Sequence, residues 1–259
     1  MNGRVSGRAR LGRVAAVSVL VMTLLDTDVE ADDPNVQLWG EMTLAWIKSH
    51  HFTYSVDIEP KVLVAKPTGD PEWATLDVTP AVEFTHGRWL DTIGDLVLGW
   101  TKQSNDLNTT EVRPRVGVRF HILSNLRDDV LKERVSRRRL VLRNLLRFEW
   151  RNLYYSNDTP DSSTFRIRDR VETLYPLNKG KVTADGAIYL LADAEWFWTE
   201  DDLDERFASK ERFRAGVGHR RSVRWRFEGL FVWERTQKEP TDTFDTSDYA
   251  VDVRVKRVW

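Results

Sequence analysis

Apolar and polar residues alternate along eleven segments of the chain. The last segment, YAVDVRVKRVW, places five apolar residues on one face: Tyr249, Val251, Val253, Val255 and Trp259. A period of two residues predicts a β-strand with one apolar and one polar side. Because the ten earlier segments repeat this alternation, the pattern predicts an all-β fold.

The two faces of these segments differ in a way that indicates which one points outward. The polar face carries mostly full charges, many of them arginine, and the apolar face carries aromatics near segment ends: Trp46, Trp100, Trp150, Trp196, Trp198, Trp225 and Trp233. Aromatics that flank an aliphatic centre are typical of the two girdles of a membrane β-barrel. We therefore expect an apolar, lipid-facing exterior and a charged lumen. The alternative is a soluble, lipocalin-like barrel, which would have to pack the eleven tryptophans of the chain inside.

The connections between segments alternate between long polar loops and short turns, which is typical of an antiparallel transmembrane up-and-down β-barrel. Bacterial single-chain barrels usually have an even number of strands, so the eleven segments predict a barrel of about 12 strands, with 10 as the alternative. The connection over residues 123–138 is long, although it falls on the periplasmic side of the barrel, where the turns are expected to be short. It is interpreted as a helix or a missed hairpin.

Two local features conflict with this pattern. Pro60, Pro80 and Pro114 fall within predicted strands, where each should mark a bulge or a strand end because proline cannot donate a ladder hydrogen bond. Asp169 and Glu211 fall on the lipid-facing side, where a carboxylate is costly.

The N-terminus has the features of a secretory signal. A basic leader precedes an apolar run over residues 14–25 that is too short to span a bilayer, and Val29-Glu30-Ala31 offers a cleavage site. This predicts a cleavable signal peptide over residues 1–31 and a barrel over residues 32–259; a membrane-anchored N-terminus is the alternative. The absence of cysteine fits passage through an oxidising periplasm.

The formal net charge of −1 gives no global field that would favour nucleic acid, so no nucleic-acid partner is expected. The five histidines, His50, His51, His86, His121 and His219, show no ligand spacing, and neither a metal nor another cofactor is expected. Ser209 and His219 share a strand face but lie roughly 30 Å apart, too far for a catalytic dyad. The sequence therefore predicts no catalytic residue and no enzyme, although an outer-membrane hydrolase remains a third class of function.

The inward charges are the candidate functional residues, and they segregate along the chain. The first four segments supply a predicted acidic wall: Glu41, Asp57, Glu59, Asp77, Glu83, Asp91 and Asp95. The later segments supply a predicted basic wall: Arg113, Arg115, Arg119, Arg143, Arg147, Arg151, Arg166, Arg168, Arg170, Arg212, Arg214, Arg224 and Arg226.

Two functions follow from these walls. Opposed walls would orient a polar or anionic solute, which predicts a narrow channel or a solute-binding barrel resembling a porin. Alternatively, arginines and carboxylates pair across neighbouring strands and hold the lumen shut, which predicts a closed structural or assembly barrel of the envelope.

Three stretches carry a family resemblance: QLWGEMTL at residues 37–44, EVRPRVGVRF at 111–120 and RIRDR at 166–170. Together with the alternating, tryptophan-rich strands they resemble the DUF2490 family of bacterial outer-membrane β-barrels. The final strand also resembles the C-terminal signal of such barrels. The resemblance implies a Gram-negative outer-membrane location, with the lipid bilayer and the barrel assembly machinery as partners. It implies no activity and no catalytic residue, and it leaves the oligomeric state open.

Overall fold

A computed structural model describes residues 34–66, 71–123, 140–157, 159–199, 210–237 and 243–259. The predicted signal peptide, Ser209 and residues 124–138 of the long connection lie outside these ranges. Within them, no helix is long and apolar enough to cross a membrane.

The described chain forms eleven β-strands, in agreement with the eleven alternating segments. Their bounds are β1 (Asn35–Ile47), β2 (Phe52–Ala65), β3 (Trp73–Thr85), β4 (Leu90–Gln103), β5 (Thr109–His121), β6 (Val141–Tyr155), β7 (Ser162–Pro176), β8 (Ala187–Thr199), β9 (Lys210–Ser222), β10 (Trp225–Thr236) and β11 (Asp245–Val258). We call the end with the connections 104–108 and 156–161 the loop end. The opposite end, with 48–51, 86–89 and 223–224, is the turn end.

The strands close into one barrel, and the closing pair differs from all the others. Each strand pairs antiparallel with the next in sequence, whereas β1 pairs parallel with β11. A ring made only of antiparallel pairs needs an even number of strands, but one parallel pair permits an odd number. The expectation of 12 strands, and the alternative of 10, are therefore wrong: the ring closes with eleven.

Apolar side chains cover the outside of the barrel and charges fill its inside. Leu38, Val116 and Val253 are exposed at mid-strand, whereas Glu149 and Asp252 are buried. Six of the seven tryptophans singled out at segment ends lie on the outward face of a described strand, for example Trp100 and Trp150. This confirms a closed all-β barrel with a charged lumen, and it is the opposite of the apolar interior that a lipocalin-like barrel requires.

The three strand prolines mark neither bulges nor strand ends, contrary to expectation. Each lies inside a strand, and the register is the same on both sides of it. Near Pro60 the β1–β2 pairing resumes from Trp39↔Lys61 to Met42↔Ile58 without a shift. Because proline lacks only its backbone N–H, one hydrogen bond to the neighbouring strand on one side is missing. The hydrogen bonds to the strand on the other side are kept.

Both outward carboxylates have a local partner. Asn144 Nδ2 donates a hydrogen bond of 2.5 Å to Asp169 Oδ1, and Arg235 Nη1 lies 3.5 Å from Glu211 Oε2. Glu211 is the second residue of β9 and lies at the loop end, whereas Asp169 lies at the middle of β7. The Asn144 amide compensates part of the cost of a carboxylate on an apolar face.

Candidate functional site

The structure places nearly all predicted wall residues on the inward face of the strands. The inward positions of β1–β4 hold the seven predicted carboxylates and one cation, Lys61. Twelve of the thirteen arginines of the basic wall occupy inward positions of β5, β6, β7, β9 and β10. The exception, Arg224, lies in the turn between β9 and β10.

Six of the seven carboxylates of the acidic wall lie within 4 Å of a cationic side chain, and Asp57 forms no ion pair with another described residue. Glu83 accepts a hydrogen bond of 2.5 Å from Arg119, and Asp95 accepts one from Arg115. At the parallel seam Glu41 forms an ion pair of 3.2 Å with Arg254. The predicted walls therefore meet at their edges, where carboxylates and guanidinium groups neutralise one another.

The basic wall contains buried carboxylates of its own, and Glu149 on β6 is the most enclosed of them. Its side chain has no exposed surface, and its oxygens lie 2.6 Å from Arg166 and 2.8 Å from Arg168. Arg113 and Arg115 approach the same carboxylate at 3.9 Å. A buried carboxylate among four guanidinium groups has its desolvation offset by charge-assisted hydrogen bonds.

Glu195 on β8 is the second such centre. Arg168 donates two hydrogen bonds to its Oε1, at 2.7 and 3.2 Å, while Arg212 and Arg214 lie 3.3 Å from its Oε2. Arg168 thus joins Glu149 to Glu195 across three strands. Charges of both signs therefore interleave on the basic wall. Glu149 lies between Arg147 and Arg151 at alternate positions, which is the sequence signal that locates it inside.

The lumen contains a cavity of about 180 Å³ towards the loop end, which we call the arginine cavity. Four carboxylates line it, Glu41, Glu59, Asp77 and Asp252. Eleven cations line it as well: Lys61, Arg113, Arg115, Arg147, Arg166, Arg168, Arg170, Lys210, Arg212, Arg214 and Arg254. Glu149 and Glu195 do not line it, because the longer arginine side chains reach past them and form the cavity surface.

Two arginines of this cavity have N–H donors that no group in the described part of the chain accepts. The guanidinium of Arg170 forms no hydrogen bond and no ion pair within 4 Å with any other described residue. Arg147 reaches Asp95 only at 3.7 Å, and its buried Nε has no acceptor in the described part of the chain. A buried donor without an acceptor is costly, and this applies to the Nε of Arg147. The half-buried Arg170 guanidinium lines the same cavity.

Two aromatic rings support the cations of the arginine cavity from the barrel wall. The Arg212 guanidinium lies 5.0 Å from the ring centroids of both Trp39 and Phe197, and Arg168 lies 4.8 Å from that of Phe197. Cation–π contacts of this kind restrict the guanidinium positions. Both rings are buried on the inward face, and the sequence analysis assigned no role to either.

A second cavity, of about 200 Å³, lies towards the turn end, and we call it the mixed cavity. Its charged lining consists of Glu83, Asp91, Arg119, His121, Arg143, Arg220, Arg224, Arg226 and Lys256. Apolar residues complete it: Ala45, Ile47, Val223, Trp225 and Val258. It shares no lining residue with the arginine cavity.

Buried apolar side chains lie between the two cavities on β4, β6, β8 and β10. On β6, buried Leu145 lies between Arg143 of the mixed cavity and Arg147 of the arginine cavity, and buried Ile93 has the same relation to Asp91 and Val97 on β4. On β8 and β10, Tyr189, Leu191 and Leu230 are buried in one cluster. We call these five residues the dividing layer.

Tyr189 is held in the dividing layer by two contacts. Its hydroxyl donates a hydrogen bond of 2.6 Å to Glu228, and its ring covers Gly218 on β9 so closely that a Cβ there would lie 2.2 Å from the ring. A glycine is therefore required opposite this ring. The layer is a packed part of the barrel and not a loose filling.

The histidines divide into two groups. His50, His51, His86 and His219 are exposed, and His219 lies on the outward face of β9. His121 is buried in the lumen, where its Nε2 lies 2.7 Å from Asp91 Oδ2. It belongs to the mixed cavity, a role that the sequence analysis did not assign to it.

Comparison with known proteins places the chain in a family. A search of curated proteins finds no match. The family model described as "Protein of unknown function (DUF2490)" matches residues 75–245, which extend from β3 to the start of β11 and cover more than half of the chain. The chain therefore belongs to the DUF2490 family.

Proposed function

We propose that this chain is an integral β-barrel of the bacterial outer membrane whose lumen binds a small, multiply charged oxyanion in the arginine cavity. The proposed role is binding, without catalysis. The single observation that carries it is the pair of Arg147 and Arg170, whose guanidinium groups line a cation-rich cavity and form no hydrogen bond with another described residue.

The exterior of the barrel supports the membrane location. The outward positions of the described strands β1, β2 and β3 carry no charged residue, and aliphatic side chains occupy most of them. Aromatic rings lie towards the strand ends, and Trp46 of β1 stacks on Trp259 at 5.1 Å across the seam. An apolar band with aromatic borders matches a bilayer with its interfaces. The same proposal assigns β11, with its outward valines, to recognition by the barrel assembly machinery.

The chemistry of the arginine cavity supports the class of ligand. Guanidinium groups present several N–H donors in a plane and match oxyanions better than they match halide ions. The nearby carboxylates neutralise most of the fixed charge, so a ligand that binds must offer hydrogen-bond acceptors as well as charge. Phosphate and sulfate are the simplest ions that do both.

The division of the lumen supports binding over free passage. The two cavities share no lining residue, and buried apolar side chains lie between them. A general-diffusion pore needs a continuous aqueous path, and apolar side chains on part of the wall between the cavities work against one. We therefore favour the solute-binding barrel over the narrow channel.

Calorimetric titration of the refolded protein in detergent tests this proposal. Inorganic phosphate is the probe, at constant ionic strength set with sodium chloride. We expect Arg170→Gln and Arg147→Gln each to weaken phosphate binding at least tenfold. Arg151→Gln is the matched control, because Arg151 is also a lumen arginine but pairs with Glu111 at 2.7 Å and does not line the cavity. Equal losses in all three variants, or no binding by the unsubstituted protein, would contradict the proposal.

The second candidate is a closed structural barrel, and the network around Glu149 and Glu195 favours it. Seven guanidinium–carboxylate contacts within 4 Å converge on these two carboxylates. If the lumen serves only to hold the barrel together, the refolded protein will bind no phosphate while remaining folded.

A further inference from the structure

We propose that the mixed cavity is a second binding site, specific for a small organic monocarboxylate with a compact apolar body. This inference is independent of the phosphate site, because it concerns a different cavity with a different lining.

Two cations of the mixed cavity are available to a ligand. The Lys256 ammonium and the Arg224 guanidinium form no ion pair or side-chain hydrogen bond with other residues in the part of the chain that the structure describes. Two other arginines of this cavity are already ion-paired: Arg119 with Glu83, and Arg143 with Glu172. The cavity therefore offers a small number of free positive groups, suited to a single carboxylate.

The apolar part of the lining indicates that the ligand is organic. Ala45 and Ile47 on β1, with Val258 on β11, form an aliphatic patch beside Lys256. The arginine cavity has no comparable patch, since charged and polar side chains form most of its wall. Contact with an inorganic ion does not stabilise such a patch. Contact with a hydrocarbon group does, because it removes apolar surface from water.

The size of the cavity limits the hydrocarbon group. An engineered apolar cavity of about 150 Å³ in another protein accommodates benzene. The mixed cavity, with about 200 Å³, has room for one aromatic ring or a short branched chain together with a carboxylate. Benzoate is therefore the simplest probe with both features.

Binding of benzoate to the refolded protein tests the inference, with three related molecules as comparisons. Acetate has the carboxylate without the ring, benzyl alcohol has the ring without the charge, and phosphate belongs to the arginine cavity. We expect benzoate to bind at least tenfold more tightly than acetate or benzyl alcohol. Saturating phosphate should leave the dissociation constant of benzoate within a factor of two.

Substitutions then assign the site. Lys256→Gln should weaken benzoate binding at least tenfold and leave phosphate binding unchanged, whereas Arg170→Gln should do the opposite. Arg224→Gln provides a second variant. Because Arg224 lies in an exposed turn, this substitution does not require the barrel interior to tolerate a change. It should weaken benzoate binding at least threefold, because one of the two free cations remains.

Three results would overturn the inference. They are benzoate binding that survives both Lys256→Gln and Arg224→Gln, benzyl alcohol that binds as tightly as benzoate, and phosphate that displaces benzoate competitively. None of these depends on whether phosphate binding itself responds to Arg170→Gln, so failure of this site and failure of the phosphate site are separately visible.

Discussion

Arg168 and Arg170 lie two residues apart on the same inward face of β7, yet their environments differ. Arg168 donates hydrogen bonds to both Glu149 and Glu195, whereas the Arg170 guanidinium has no hydrogen-bond or ion-pair partner among the described residues. One residue therefore joins three strands, and the other offers its donors to the arginine cavity. The same residue type on the same strand face has a structural role in one position and a proposed binding role in the other.

This difference predicts opposite consequences for two identical substitutions. Arg168→Gln leaves two buried carboxylates short of a cation, so we expect it to lower the free energy of unfolding by about 3 kcal/mol. Arg170→Gln removes no ion pair, so we expect a change below about 1 kcal/mol. Urea unfolding of the refolded protein in lipid vesicles, followed by tryptophan fluorescence, measures both. Equal destabilisation by the two substitutions would refute the assignment.

Alternation in the sequence predicts which residues point inward, but it does not predict which of them pair. The inward position of Glu149 follows from its place between Arg147 and Arg151. Its contacts with Arg166 and Arg168 depend on the register of β6 against β7, in which Glu149 pairs with Arg166. Register is a property of two strands together, so the alternation within single strands predicts separate walls where the structure has an interleaved network.

The seam between β1 and β11 is the element that determines the strand count. Eleven antiparallel neighbours cannot close a ring, and the parallel pairing of the first and last strands removes this conflict. The pairing continues over eleven positions from Asn35↔Asp248 to Ala45↔Val258. Each strand could be predicted locally from its alternation, but closure involves the two ends of the barrel and leaves no local signal. The even strand number that is usual for bacterial barrels therefore does not apply to this chain.

Engineered cysteines can test the seam directly, because the chain contains no cysteine that would compete. Met42 and Val255 are cross-strand partners on the outward face. Adjacent strands lie about 4.8 Å apart, which is within the range that a disulfide can bridge. We expect Met42→Cys combined with Val255→Cys to form a disulfide on mild oxidation, detected as a shift in non-reducing electrophoresis and by peptide mass.

The control for the seam uses the same strands with a different register. Val251 pairs with Leu38, four residues away from Met42, so Met42→Cys with Val251→Cys places the thiols roughly 13 Å apart. This pair should remain reduced. Cross-linking of the control pair, or no cross-linking of Met42→Cys with Val255→Cys, would show that the barrel closes with another register or another strand number.

At the scale of the whole molecule, the barrel encloses two cavities that share no lining residue. The arginine cavity lies towards the loop end, the mixed cavity towards the turn end, and the dividing layer lies between them on β4, β6, β8 and β10. Hydrophobic side chains at a constriction exclude water, which is how some pores are gated. A solute that enters from either end therefore meets one of the two proposed binding sites before it meets the apolar layer.

This arrangement predicts the electrical behaviour of the refolded protein in a planar lipid bilayer. We expect the dividing layer to interrupt the aqueous path, and therefore no stable single-channel steps from the unsubstituted barrel. Replacing three of its members together, Leu145→Ala, Leu191→Ala and Leu230→Ala, should open a path and produce discrete steps. A salt gradient then reports ion selectivity. Because the arginine cavity is rich in cations, we expect a reversal potential whose sign indicates selectivity for anions. Insertion has to be established independently, by protection of the barrel from protease in vesicles. Stable steps from the inserted, unsubstituted protein would instead identify a channel and would overturn the view of the lumen as two closed compartments.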